Sequence, residues 1–139
     1  MKFNLLALAC ALMLAFGLSM GSFAGSIADG DSDGVPDVYD NCTDVANGPL
    51  AGACSAQQDG DVDGYGNACD TDFNNDGGVG LDDVNAILGA SGSTDPEFDL
   101  NCDGGVGLDD VNAALGTVGG TPGPSQLPCA GTGVACPPV

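Results

Sequence analysis

A small, mostly irregular fold with short α-helices is what the sequence predicts, and three observations predict it. The 139-residue chain carries 20 acidic side chains against one basic, a formal charge of −19. Aromatic residues make up 5% and tryptophan is absent, so there is little from which to build a large apolar interior. The acids, all aspartate except Glu97, recur at alternate positions ahead of a glycine rather than in a random run. The same composition excludes whole classes of function. Lys2 is the one basic residue, so phosphate neutralisation fails and no nucleic-acid partner is expected. Adhesion to anionic lipid fails for the same reason. With no histidine, imidazole acid–base catalysis and imidazole-ligated metals are impossible, and no redox Cys-x-x-Cys is present.

Residues 1–24 read as a signal peptide. Met1-Lys2 is a minimal positive start, Leu5 to Leu18 is nearly unbroken apolar sequence, and Ser22-Phe23-Ala24 offers small residues where a signal peptidase cuts. The apolar run is short for a membrane span and no other follows, so no span is expected after cleavage. A secreted or extracellular location, at the cell surface or in a periplasm, is therefore expected. The remaining cysteines are Cys42, Cys54, Cys69, Cys102, Cys129 and Cys136, an even set in an oxidising compartment, so three disulfides are expected. Cys129 and Cys136 bracket a short Gly-rich loop and are the easiest pair to close; the pattern does not choose among the rest.

The acids fall into four registers. Asp29, Asp31 and Asp33 precede Gly34, with Asp37 and Asp40 after it. Asp59, Asp61 and Asp63 precede Gly64, with Asn67 and Asp70 after it. Asp72, Asn74 and Asp76 precede Gly77, with Asp83 after it. Asp99, Asn101 and Asp103 precede Gly104, with Asp110 after it. Each places oxygen ligands at loop positions 1, 3, 5 and 12 and glycine at 6. Calcium takes six to eight oxygens at about 2.3–2.6 Å, which alternate side chains on a tight loop can supply. The glycine permits the sharp turn. The position-7 backbone carbonyl then becomes available, from Val35, Tyr65, Gly78 or Gly105. Fifteen of the 20 acids lie in these registers, which a solvated acidic tail does not explain. Magnesium, with its stricter octahedral shell, fits the spacing less well. The expected cofactor is Ca2+.

Asp29 through Cys42 and Asp59 through Asp70 resemble the long and short motifs of thrombospondin type 3 repeats, with Asn67 where that family usually has aspartate. The resemblance implies a chain wrapped around calcium ions, with Cys42 paired to Cys69. Cys54, inside an insertion from Asn47 to Gln58, leaves Cys42–Cys54 open as a local alternative.

The last two loops are an internal duplication. Residues 77–89 and 104–116 match at twelve of thirteen positions, offset by 27. After each loop, Leu81–Leu88 and Leu108–Leu115 have helical apolar spacing, with Val84, Ile87 and Leu88 on one face and Val111 and Leu115 on the other's equivalent. Gly89 and Gly116 are the expected stops. No helix is expected before either loop, since Pro96 and turn formers precede the second. A tandem of loop-then-helix units resembles a type I dockerin over residues 72–118. That family's small hydroxyl residues at loop positions 10 and 11 are replaced here by Leu81-Asp82 and Leu108-Asp109. The resemblance implies pairing of Val79 with Val106 in a short strand, and an extracellular, cohesin-like or surface protein partner at the duplicated helices.

The expected fold is thus small, calcium-organised and mostly irregular: thrombospondin type 3-like calcium-wrapped loops (25–71), then a dockerin-like pair of half EF-hands with short α-helices (72–118), then a Pro/Gly-rich tail (119–139). Its core candidates are Phe73, Val79, Leu81, Val84, Ile87, Leu88, Phe98, Val106, Leu108, Val111 and Leu115. So few cannot hold the chain without bound ions. The expected function is a secreted calcium-binding interaction or spacer protein for adhesion or docking, linked by analogy to polysaccharide degradation. The alternative is a soluble acidic calcium buffer without a defined partner. An enzyme is not expected, because the carboxylates are committed to metal, histidine and a nucleophile elbow are lacking, and the composition cannot build a concave apolar site.

Overall fold

The computed structural model describes residues 27–52, 54 and 56–137, so the expected signal peptide lies outside the described residues. Its regular elements are a 3-10 turn at Asp37–Tyr39 and two helices, α1 (Leu81–Ala90) and α2 (Leu108–Thr117). Among the described residues there is no strand, and no helix is long and apolar enough to cross a membrane. The fold is small and mostly irregular, as its composition implies.

Both helices begin the same way. Extended Gly80 and Gly107 donate their N–H to the Oδ2 of Asp83 and Asp110, three residues on, at 2.7 Å each. The returning carboxylate satisfies a backbone donor and lies at the positive end of the helix dipole. The expected stops are displaced. Gly89 and Gly116 stay helical, and the chain turns at Gly92 (φ +86°) and Gly119 (φ +87°). A helix tolerates glycine, whereas the left-handed turn that follows requires it.

α1 and α2 pack together over a small core of Ile87, Leu100, Val106, Val111 and Ala114, flanked by Phe73, Ala90 and Phe98. The rings of Phe73 and Phe98 meet with centroids 4.6 Å apart. Four leucines expected inside are exposed: Leu81 (70%), Leu88 (50%), Leu108 (75%) and Leu115 (48%). On these ten-residue helices the buried apolar positions are the i, i+3 pairs Val84/Ile87 and Val111/Ala114, beside the buried Asp83 and Asp110. Leu88 and Leu115, one residue and about 100° beyond Ile87 and Ala114, face outward, and Leu81 and Leu108 lie exposed at the first position of each helix. Leu100 entered the core without being expected there; it is the duplicate of Phe73.

Val79 and Val106 do not bond to each other. Val79 donates to Gly120 O (3.0 Å) and accepts from Gly119 N (2.8 Å). Val106 donates to Ser93 O (2.9 Å) and accepts from Gly92 N (2.8 Å). Each valine is therefore paired with the turn that leaves the other unit's helix. Both backbone groups of each valine are used up in that exchange, so no valine–valine strand can form.

The first two loops have a different interior. Between them, Asn41, Asn47 and Gln57 form a polar network: Asn47 Nδ2 donates to Asn41 Oδ1 (2.8 Å), and Asn41 N donates to Gln57 Oε1 (2.9 Å). Three disulfides form, chemistry that belongs to an oxidising compartment: Cys42–Cys69, Cys54–Cys102 and Cys129–Cys136. The local alternative Cys42–Cys54 is not formed, because Cys54 instead ties the 41–58 segment to the fourth loop. The tail is irregular but not free. Thr43 N donates to Pro124 O (3.0 Å), Gln126 N to Asp40 O (3.2 Å) and Cys136 N to Val62 O (2.8 Å), wrapping the tail over the first two loops.

Candidate metal centres

One backbone pattern builds all four loops. The position-6 glycine donates its N–H to Oδ2 of the position-1 aspartate: Gly34 to Asp29 (3.3 Å), Gly64 to Asp59 (3.0 Å), Gly77 to Asp72 (2.8 Å) and Gly104 to Asp99 (2.9 Å). The position-5 N–H donates to the position-3 oxygen, at Asp31, Asp61, Asn74 and Asn101. Position 4 is left-handed in every loop: Ser32 (φ 64°), Val62 (65°), Asn75 (57°) and Cys102 (55°). Reversals at positions 4 and 6 curl the chain, so that the position-3 oxygen turns toward the position-5 N–H in every loop, joined by the position-1 oxygen in the first, third and fourth.

In the first loop the carboxylate oxygens of Asp29, Asp31 and Asp33 lie within 4.8 Å of one another. Asp40 is fully buried, and its Oδ2 and that of Asp31 have no hydrogen-bond partner. Asp33 Oδ1 accepts from Val35 N at 2.8 Å, and its Oδ2 accepts from Asn47 N (2.9 Å) and Gly48 N. Asp37 accepts from Gly30 N (2.7 Å). In the second loop Asp59, Asp61 and Asp63 converge in the same way, within 4.8 Å. Asn67 accepts from Gly60 N (2.8 Å), Tyr65 N donates to Asp63 (2.8 Å), and Asp70 is buried.

The third and fourth loops are near copies of each other. Buried Asp72 and Asp99 accept from Asp76 N (3.2 Å) and Asp103 N (3.1 Å). Asn74 and Asn101 turn their Nδ2 outward to Asp82 and Asp109, at 2.7 Å each. Their amide oxygens thus face the loop. Asp83 and Asp110 are fully buried, and each accepts the position-3 N–H at 3.3 Å as well as the helix-capping glycine. Gly105 N reaches Asp103 Oδ1 at 3.2 Å, and Gly78 is the duplicate residue in the third loop.

These carboxylates repel one another, and no side chain beyond Lys2 can neutralise them. Burial, and then the neighbouring Asp63, Asp61 and Asp72, push Asp70 up to about 8. Burial, followed by Asp61, Asp59 and Asp72, lifts Asp63 to about 6. Asp31, Asp40 and Asp59 are raised as well, in each case mainly by burial. Oxygen-only clusters with buried, unpartnered carboxylate atoms can hold a metal ion, and hard cations suit them best.

One acidic group near these loops escaped the sequence reading. Glu97 lies against the second loop, where its Oε2 covers Gly60, and Pro96 O accepts from Asn67 Nδ2 at 2.7 Å. Burial and the adjacent Asp61 and Asp95 raise Glu97 to about 7. It stands outside every register, and nothing in its sequence neighbourhood signals the approach. No protein-family model, characterised protein or solved structure matches this chain.

Proposed function

We propose that this chain is a secreted calcium-binding protein, not an enzyme, that serves as a calcium-dependent spacer and docking module outside the cell. The observation that carries the reading is the pairing of one repeated oxygen-lined loop geometry with a chain whose one basic side chain is Lys2. Calcium accepts a variable shell of six to eight oxygens and suits irregular loops of mixed carboxylate, amide and carbonyl donors. Asp29, Asp31, Asp33 and Asp40 hold the first ion in this reading, and Asp59, Asp61, Asp63 and Asp70 the second. Asp72, Asn74, Asp76 and Asp83, and then Asp99, Asn101, Asp103 and Asp110, hold the other two. The first pair works as thrombospondin type 3-like repeats, and the second as a dockerin-like pair of half EF-hands. Bound calcium turns repulsion into attraction, so the loops fold around their ligand.

The outward leucines Leu81, Leu88, Leu108 and Leu115 support docking over simple buffering, since a buffer needs only ligands. Native mass spectrometry during a calcium titration tests the binding. At least one ion per loop is expected at millimolar calcium, and a protein that stays metal-free there sinks the reading. Capture from a cell-surface fraction, with and without chelator, separates docking from buffering.

A further inference from the structure

The second loop has a problem that the other three do not share. Its position 4 is Val62, a β-branched residue at φ 65°, where such side chains are rarely found. Asn75 tolerates that conformation intrinsically, and Cys102 is tied by its disulfide to Cys54. Val62 sits between Asp61 and Asp63, so its backbone angle decides whether those carboxylates converge.

The tail meets the loop at this point. Cys136 N donates to Val62 O (2.8 Å), and Gly131 N donates to Asp63 O (3.2 Å). Gly64 lies directly beneath the tail: a Cβ there would stand 2.6 Å from Cys136 Sγ and 2.7 Å from Ala130 Cα. The Tyr65 ring packs against Gly123 and Gly131. The equivalent Gly77 and Gly104 have nothing within 4 Å of such a Cβ.

We infer that the Cys129–Cys136 disulfide loop is a clamp that holds the 59–70 loop in its ion-receiving conformation, so that tail docking and calcium binding there reinforce each other. The inference rests on reading 59–70 as a calcium loop. Reciprocity is obligatory: if docking strengthens calcium binding by some factor, calcium strengthens docking by the same factor.

Gly131→Pro in the full chain is the test. It removes the N–H that reaches Asp63 O and forbids φ +64°, while leaving every proposed ligand and both cysteines in place. Calcium titration is followed at the amides of Gly64, Gly77 and Gly104, one reporter per loop. Affinity read at Gly64 is expected to fall about tenfold, with Gly77 and Gly104 unchanged. Adding Val62→Asn, which accepts the left-handed turn, is expected to restore most of the loss. An equal loss at all three glycines, no loss at Gly64, or no restoration overturns the clamp. In the unaltered protein, the amides of Gly131 and Cys136 should exchange about tenfold more slowly with calcium than with chelator. Unchanged exchange there, while Gly64 still responds to calcium, overturns the clamp alone. A Gly64 amide that ignores calcium overturns the calcium reading of this loop and the clamp with it.

Discussion

The two halves of this protein build the same loop twice over and support it by opposite means. In residues 72–120 the loops sit on an apolar core and on each other, through the reciprocal bonds of Val79 and Val106. Their position-6 glycines are open to solvent. In residues 29–70 the interior is amides and carboxylates, and distant chain reaches the glycines: Gly64 is buried beneath Cys136 and Ala130, and Leu50 lies against the exposed Gly34. One half carries its support within a duplicated unit, and the other borrows it from an insertion, a tail and two disulfides. The acidic loop is thus a portable unit of local geometry, whereas what steadies it is not.

Chelation is the largest way to break this comparison. If the four loops hold calcium as proposed, each site contributes about 2.7 kcal/mol at a hundredfold excess over Kd, so removing several should dominate the fold. The first half, lacking an apolar core, should lose amide protection throughout. The second should keep weak protection in α1 and α2. Hydrogen exchange with and without chelator reads both at once, and a first half that outlasts the second would refute the contrast. Ile87→Ala strikes the other side. Ile87 is fully buried in the core, so truncation should cost about 2–5 kcal/mol. The loss should melt α1 and α2 while leaving calcium binding by residues 29–70 in place, measured by the same exchange experiment.

Asp40→Asn should change sign with conditions. Asp40 is fully buried and its Oδ2 is unpartnered. With calcium bound, loss of the charge should destabilise the first loop by about 3 kcal/mol. In chelator the neutral amide should instead stabilise it, because a buried, repelled carboxylate is gone. Thermal melts in the two conditions give the answer, and a shift of the same sign in both would contradict a ligand role.

The four loops and two helices were legible because their signals are one-dimensional: a register of aspartates, a 27-residue duplication, an apolar i, i+3 spacing. What roofs the loops was not, because those contacts join residues far apart with no period between them. Gln57 reaching Asp40, Glu97 covering Gly60 and Cys54 bridging to Cys102 are of this kind. The left-handed position 4 was hidden differently: Ser32, Val62, Asn75 and Cys102 share a conformation but no chemistry. The exposed leucines mark a further limit, since spacing identifies a helix face but not how far around it the core extends.

Acidity should sharpen the contrast from the first half. Asp63, Asp70 and Glu97 keep their protons up to about 6, 8 and 7, against about 4 for unfolded carboxylates. The folded, metal-free state therefore binds more protons than the unfolded one, and its stability should fall as pH rises from about 4 to 8. On the proposed calcium reading the ion must displace those protons, so affinity at the 59–70 loop should rise across the same window. Melting temperature in chelator, compared at both ends of that window, should be higher at the acidic end.

The smallest effect belongs to the second half alone. Gly89 and Gly116 lie inside α1 and α2, and an added Cβ at either meets nothing within 4 Å. Neither φ is positive, so alanine fits without strain and lowers the conformational freedom of the unfolded chain. Each of Gly89→Ala and Gly116→Ala should raise stability by about 0.5–1 kcal/mol. The gain should reach the amides of α1 and α2 and stop short of residues 29–70. If it spread evenly to the first two loops, the halves would be one cooperative unit, and the difference in their supports would have no energetic consequence.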